Sequence, residues 1–336
     1  MTGPRQPDAP RDDGGPVPRP VPPLEVPRYA SPFLEAELDR AGLSDARRAQ
    51  VQAFARDGYL VFDPEIADLG GVATAIERAL EPEHATSGNR ITDAWRSVPE
   101  IGALAANAKV VELIEDLYGR AAFPFQTLNF LRGSEQRTHS DLIHFASLPT
   151  RFVAGVWIAL EDVGPDNGPL HYYPGSHLLP PYEIHELGIR SSVRDRPAIY
   201  ARYEDFLEAL VAAVGLERTT VEMRRGQALV WAGNLLHGGD PIRDAARTRR
   251  TQVTHYYFRG CRYYTPLYSD PPRARYSWSK VFDIRTGRSV PHQVAGADVR
   301  LPLTTTVRYL AQHKLGQSSS GRRLVSRAKQ RIQRGR

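Results

Sequence analysis

Apolar and polar positions change their spacing once along this chain, near Phe123. Before that point the spacing is helical. The segment DARRAQVQAFARDG, opened by Ser44 and ended by Gly58, predicts one helix, and Ser31 predicts the cap of a shorter one through about Ala41. Two or three more are expected between Gly70 and Tyr118, the last being AANAKVVELIEDLYG, whose apolar residues recur three and four apart. Between these, YLVF at Tyr59 to Phe62 reads as a buried strand. Beyond Phe123, short β-rich runs recur between turn signals: FQTLNFL, FVAGVWIAL, PLHYYPG, TTVEMRRG, QALVWAG and TQVTHYYF. Such spacing predicts an antiparallel sandwich or barrel. An insertion from about Leu178 to Arg218 breaks the pattern and contains a helical stretch, YEDFLEALVAAVG. The organisation expected is a helical N-terminal layer packed on a β-sandwich, in one domain of about 30–298.

Composition sets the ends apart from this body. Residues 1–27 hold nine of the 27 prolines, too closely spaced for a helix or central strand, so 1–29 reads as a disordered or polyproline-like leader. The formal net charge is +6, but residues 299–336 contain ten Lys and Arg and no acid, which leaves the body from 31 to 298 at −4. The basic character belongs to a tail, and nucleic acid is not an expected partner. Within that tail, RRLVSRAKQRIQRGR places Leu324, Val325, Ala328 and Ile332 on one helical face, a pattern suited to weak contact with a polyanion or membrane surface. No run approaches the roughly 20 apolar residues of a membrane span. The single cysteine, Cys261, rules out an internal disulfide and points to a reducing compartment, so a cytoplasmic location is expected.

Of ten histidines, one has a partner at a telling distance. In RTHSDLIHF, His139 and Asp141 stand at i and i+2, which in extended chain puts an imidazole and a carboxylate on one side. These are two members of a two-His-one-carboxylate triad, the set that holds non-haem Fe(II) and leaves adjacent positions open. A third ligand is expected from another strand, and His237 in ALVWAGNLLHGG suits it. Arg249 follows at the start of RRTQVTHYY, sharing strand parity with Thr251 and Val253. An oxo-acid co-substrate needs a cation for its far carboxylate, and the arginine fork binds carboxylate bidentately. Arg247 and Arg243 are the other choices. His144 is placed at the mouth of the site. His177 reads as structural, His255 as a satisfied core histidine that shares Arg249's parity and could instead point inward, and Trp157 and Trp231 as core aromatics. Gln126 and Asn129 are polar residues inside an apolar strand, each needing a hydrogen-bond partner.

Taken together these segments resemble the phytanoyl-CoA dioxygenase family of Fe(II)- and 2-oxoglutarate-dependent oxygenases. The central signature is VWIALEDVGPDNGPLHYYPGSH, from Val156 to His177, and the likeness runs from FARDGYLVF at Phe54 to Phe258. The resemblance implies a mainly β fold, a double-stranded β-helix or jelly-roll core flanked by N-terminal helices. It implies Fe(II) on His139, Asp141 and His237, with 2-oxoglutarate on Arg249 and Gln126 or Asn129, and dioxygen as co-substrate. It also implies hydroxylation of a small organic substrate with release of succinate and CO2, the alternatives being desaturation, cyclisation or epimerisation by the same iron chemistry. A non-catalytic jelly roll that binds a small ligand is the reading from outside enzymology. Iron halogenases replace the carboxylate with a small residue, and the presence of Asp141 disfavours that outcome. The insertion is outside the family pattern and is expected to form a lid or substrate wall, so the substrate, a small secondary-metabolite or carbohydrate-derived acceptor, does not follow from the family. The oligomeric state is equally unmarked in the sequence.

Overall fold

The computed structural model describes residues 24–190 and 195–305. Most of the Pro-rich leader and the basic amphipathic segment lie outside the described residues. Helices dominate first: α1 (Leu34–Ala41), α2 (Asp45–Asp57), α3 (Leu69–Ser87), α4 (Pro99–Ala105) and α5 (Ala108–Tyr118). The Ser44 hydroxyl accepts from the Arg47 N–H at 3.3 Å, capping α2, and Gly58 closes that helix in the left-handed region at φ 82°. Ser31 behaves otherwise. Its hydroxyl accepts from the Phe33 N–H and bonds Glu37, bracing the approach to α1, whose N-cap position is Phe33. Tyr29, placed by composition at the end of the leader, is buried with Phe54 and Tyr118, their rings meeting edge to face. The folded body therefore begins ahead of residue 30.

The first eleven strands in chain order are β1 (Tyr59–Phe62), β2 (Arg90–Thr92), β3 (Ala122–Phe130), β4 (Ala146–Leu148), β5 (Val153–Ala159), β6 (Leu170–Tyr172), β7 (Thr219–Val221), β8 (Ala228–Ala232), β9 (His237–Gly239), β10 (Thr251–Phe258) and β11 (Arg262–Tyr264), and two short hairpins follow, Phe282–Asp283 with Arg288–Ser289 and His292–Val294 with Ala297–Val299. Six of them form an antiparallel sheet in the order β1-β8-β5-β10-β3-β2, three form a second sheet, β7-β6-β9, and β4 pairs with β11. Helix α6 (Arg196–Val214) realises the helix expected in the insertion.

Alternation along the central strands divides the core. In β5 and β8, Val156, Ile158, Ala228, Val230 and Ala232 join the helices α2 to α5, while Trp157, Ala159, Leu229 and Trp231 pack against Leu170, Tyr172 and Val221 of the smaller sheet. Both faces of the large sheet are covered, so its central strands read as nearly unbroken apolar runs rather than as a polar–apolar alternation. Helix α5 seals the outer face: Val110, Leu113, Ile114, Leu117 and Tyr118 are all buried, the Tyr118 hydroxyl donates to the Val153 carbonyl at 2.6 Å, and its ring stacks on Phe258. The inner face is the one that carries chemistry.

Candidate active site

His139 and His237 come from different segments and are paired through the backbone. The N–H of each donates to the carbonyl of the other, at 2.9 and 3.0 Å, which adds the His139 segment beside β9. Asp141 opens a single helical turn, Asp141–Ile143. One of its carboxylate oxygens, Oδ1, lies 3.9 Å from Nε2 of both histidines. These three side chains are the group among the described residues whose donor atoms, all within 4.8 Å of one another, could hold a metal ion. Their unused atoms are tied down. His139 Nδ1 bonds the Arg137 carbonyl at 2.9 Å and His237 Nδ1 the Leu235 carbonyl at 3.0 Å, so each Nδ1 carries the proton and each Nε2 lone pair faces the centre. Asp141 Oδ2 accepts from the Trp231 indole N–H at 2.8 Å. Trp231 is thus more than a core aromatic.

Burial, with His237 alongside, lowers His139 to about 3, so it is neutral and ready to ligate at neutral pH. Burial alone would raise the carboxyl of Asp141, but His255, His237 and His139 around it hold it below the usual carboxylate range. A neutral N2 pair with one carboxylate suits a first-row divalent metal such as iron. Glycines make room for this arrangement. A Cβ on Gly155 would run into the Trp231 indole across the β5–β8 pairing, and one on Gly238 would come within 2.7 Å of the Gln136 carbonyl and the His171 ring.

The triad opens into a cavity of about 360 Å³ between the sheets. Arg249 lies in its wall, 1% exposed, in the parity expected from the sequence. Its Nη1 donates to the Gly168 carbonyl at 2.7 Å, its guanidinium faces the Trp157 ring, and its Nε has no partner. Among the described residues no carboxylate lies within 4.0 Å of it, and burial lowers its pKa to about 10, with Glu161 opposing the shift. Arg247 pairs with Asp166 at 3.8 Å outside the cavity, and Arg243 is exposed. Arg249 is the arginine that the fold turns inward.

Gln126 also lines the cavity, as do His144 and His255. Asn129 does not. It lies an odd number of residues from Gln126 on β3 and faces the helices, where Nδ2 donates to Gln252 Oε1 at 3.4 Å, so it has no access to a co-substrate. His144 stacks near Tyr200 of α6, and burial lowers it to about 4. The same helix is fastened over the ligand segment: Tyr200 accepts from Gln136 Nε2, and Arg137 reaches Asp205 and Glu208, each at 2.7 Å. The insertion therefore braces the His139 segment from behind, and none of its described residues lines the cavity. His177 is buried, its Nε2 bonding the Ala55 carbonyl, as its structural reading required. His255 departs from its reading. Its Nε2 lies 3.5 Å from Asp141 Oδ2 and its buried Nδ1 has no partner. Its parity with Arg249 and Val253 turns it inward, and the register of β10 against β5 brings it to Asp141.

The family model for phytanoyl-CoA dioxygenase matches residues 54–251, more than half of the chain and all four residues just described as triad and inward arginine. The chain belongs to the phytanoyl-CoA dioxygenase family. It is an Fe(II)- and 2-oxoglutarate-dependent oxygenase. Solved structures share the fold of this dioxygenase. The non-heme alpha ketoglutarate dependent carbocyclase SnoK from nogalamycin biosynthesis has a TM-score of 0.51 at 18% identity, covering 66% of this chain and 87% of its own. The epimerase SnoN in complex with Fe3+, alpha ketoglutarate and nogalamycin RO has 0.51 at 21% identity, covering 65% and 86%. EctD from S. alaskensis with 2-oxoglutarate and 5-hydroxyectoine has 0.51 at 18% identity, covering 78% and 89%. No curated protein matches the sequence significantly.

Proposed function

We propose that His139, Asp141 and His237 hold the Fe(II) of this dioxygenase and that Arg249 binds the far carboxylate of 2-oxoglutarate, with hydroxylation of a small organic substrate as the outcome. The observation that carries this reading is Arg249 itself. A guanidinium buried without an anion is costly, and this one shares a cavity with three convergent metal donors. A dicarboxylate bridging metal and arginine satisfies both. Gln126, in the same cavity, supplies an amide to the co-substrate, and His144, backed by Tyr200 of α6, meets the substrate.

Each of these groups has a task that its contacts define. The paired Nδ1–H bonds orient the two imidazoles, the indole of Trp231 aims Asp141, and Trp157, Leu128, Phe145 and Val253 line the cavity with apolar surface that excludes water. Bound iron supplies the activation of dioxygen, the second co-substrate. A non-catalytic binding module would have no use for three donors so oriented. In the same reading, the two facing sheets are the jelly-roll core and about 30–298 the catalytic unit. No helix of the described residues is long and apolar enough to cross a membrane, and the free, buried Cys261 accords with a cytoplasmic enzyme.

Succinate release tests the proposal. Iron-loaded enzyme, 2-oxoglutarate and air are combined with a panel of small hydroxylatable compounds and followed by proton NMR. The wild type is expected to release succinate, and Asp141→Ala to release none. Equal release from both would contradict the assignment, and a product that is a desaturated, cyclised or epimerised compound would replace hydroxylation.

A further inference from the structure

One cation in the cavity is used by neither the metal triad nor the co-substrate. Arg90 begins β2, the edge strand of the large sheet, opposite Phe130. Alternation sends Arg90 and Thr92 to the cavity and Ile91, 2% exposed, into the helical core. Its neighbour Asn89 fixes the backbone there: Nδ2 donates to the carbonyls of Arg132 and Gly133 at 3.3 and 2.9 Å, Oδ1 accepts from the Arg132 N–H at 2.7 Å, and the Asn89 carbonyl accepts from the Leu131 N–H at 3.1 Å. Four hydrogen bonds thus hold this short strand against the end of β3 and set where the Arg90 side chain starts. Some exposed arginines have acids, as Arg48 has Glu35 and Asp39 and Arg137 has Asp205 and Glu208, and others, Arg40 and Arg78 among them, have none; Arg90 differs from both sets in lining the cavity. Among the described residues no carboxylate lies within 4.0 Å of Arg90. Arg90 lies close enough for its charge to be felt weakly at His144, across the cavity lining, and at Tyr200 behind it.

Charge balance in the cavity points the same way. Apart from histidines, the charged residues lining it are Asp141, Arg249 and Arg90. Iron(II) adds two positive charges and 2-oxoglutarate two negative ones, and Arg249 and Asp141 cancel each other. The iron and co-substrate also cancel, which leaves the charge of Arg90. We infer that the substrate of this enzyme carries an oxyanion, a carboxylate or a sulfate or phosphate ester, which Arg90 binds at the cavity mouth. The inference rests on the iron and 2-oxoglutarate reading above. The body's net charge of −4 does not steer anions, so recognition is local, an exposed guanidinium fork at the cavity rim meeting oxygen atoms.

The test uses the full chain loaded with Zn(II) and 2-oxoglutarate, titrated by ligand-observed NMR with phenylacetate, phenyl phosphate and phenyl sulfate, and with phenylacetamide and benzyl alcohol as neutral counterparts. At least one anion is expected to bind about tenfold tighter than the neutral compounds, the scale of one charge-assisted hydrogen bond. The preference should vanish in Arg90→Gln, reverse in Arg90→Glu and survive in part in Arg90→Lys, and which anion leads identifies the oxyanion. Neutral and anionic compounds binding alike, no anion binding at about 10 mM, or a preference retained in Arg90→Gln would overturn it. The visible absorption of the Fe(II)·2-oxoglutarate complex, recorded anaerobically for each variant, separates two failures. If the wild type lacks it, the underlying reading falls and this inference with it. If all variants keep it and show no anion preference, only the role of Arg90 falls.

Discussion

The Trp231 indole N–H donates to Asp141 Oδ2 at 2.8 Å, which leaves Oδ1 as the oxygen that faces both ligand histidines at 3.9 Å. The bond decides which way a buried carboxylate points. Trp231→Phe keeps the ring and removes the donor, leaving Oδ2 short of a partner. Its expected cost is about 1–3 kcal/mol of apo-protein stability and about 10–100-fold in metal affinity, read by urea unfolding and by anaerobic Fe(II) titration. An unchanged metal affinity would remove Trp231 from the site.

Gly155 is required by the same indole. Its strand partner is Trp231 on one side and His255 on the other, and an added methyl group collides with the ring. Overpacking of this kind costs about 1–3 kcal/mol. Gly155→Ala is therefore expected to unfold at lower urea and to bind iron more weakly, whereas Gly164→Ala, where a Cβ meets nothing within 4 Å, should match the wild type in both measurements.

Arg249→Lys separates charge from fork geometry. A lysine keeps the positive charge but not the bidentate donor pair. The KM for 2-oxoglutarate should rise about tenfold or more, with iron affinity unchanged, since hydrogen bonds to charged groups contribute about 1.5–3 kcal/mol. Steady-state kinetics over a wide 2-oxoglutarate range and a separate Fe(II) titration check the two halves.

His292 makes acid destabilising. Its Nε2 bonds the Ser279 carbonyl at 2.8 Å and its Nδ1 accepts from the Tyr263 N–H at 3.4 Å, so a second proton has no place, and burial lowers its pKa to about 4. The unfolded chain takes up that proton near the ordinary value of about 6.5. Between the two values the unfolded state binds more protons, so stability is flat above about 6.5 and falls as pH drops toward 4. Urea midpoints across this window should fall less steeply in His292→Gln than in the wild type.

The residues proposed as ligands are legible because their spacing has a local cause. His139 and Asp141 lie two apart in extended chain, and Arg249 shares parity with Val253, so strand geometry alone turned them inward. Parity also separates the two amides of FQTLNF: Gln126 lines the cavity and Asn129, three residues on, faces the helices. The inward side of His255 is legible from its parity with Arg249, but the closeness of His255 and Trp231 to Asp141 is not. Their approach to Asp141 arises from the strand order β8-β5-β10 and from the long-range return of the His139 segment, neither of which leaves a mark in adjacent residues. Arg90 is hidden similarly, since its three-residue strand is too short to show periodicity and becomes part of the cavity only by pairing with β3. Ser31 was misread because its nearest backbone donor belongs to Phe33, two residues on, and not to the first turn of α1.

The central claim is that one cavity joins a His139–Asp141–His237 iron site to an arginine for 2-oxoglutarate. Anaerobic titration of the apo-protein with Fe(II) and then 2-oxoglutarate, watched for the visible charge-transfer band of that chelate, tests it in a single experiment. The wild type should develop the band, His139→Ala should not, and Arg249→Gln should need about 10–100-fold more 2-oxoglutarate to reach it. Iron binding by the wild type with no band, or a band of full strength in His139→Ala, would contradict the account.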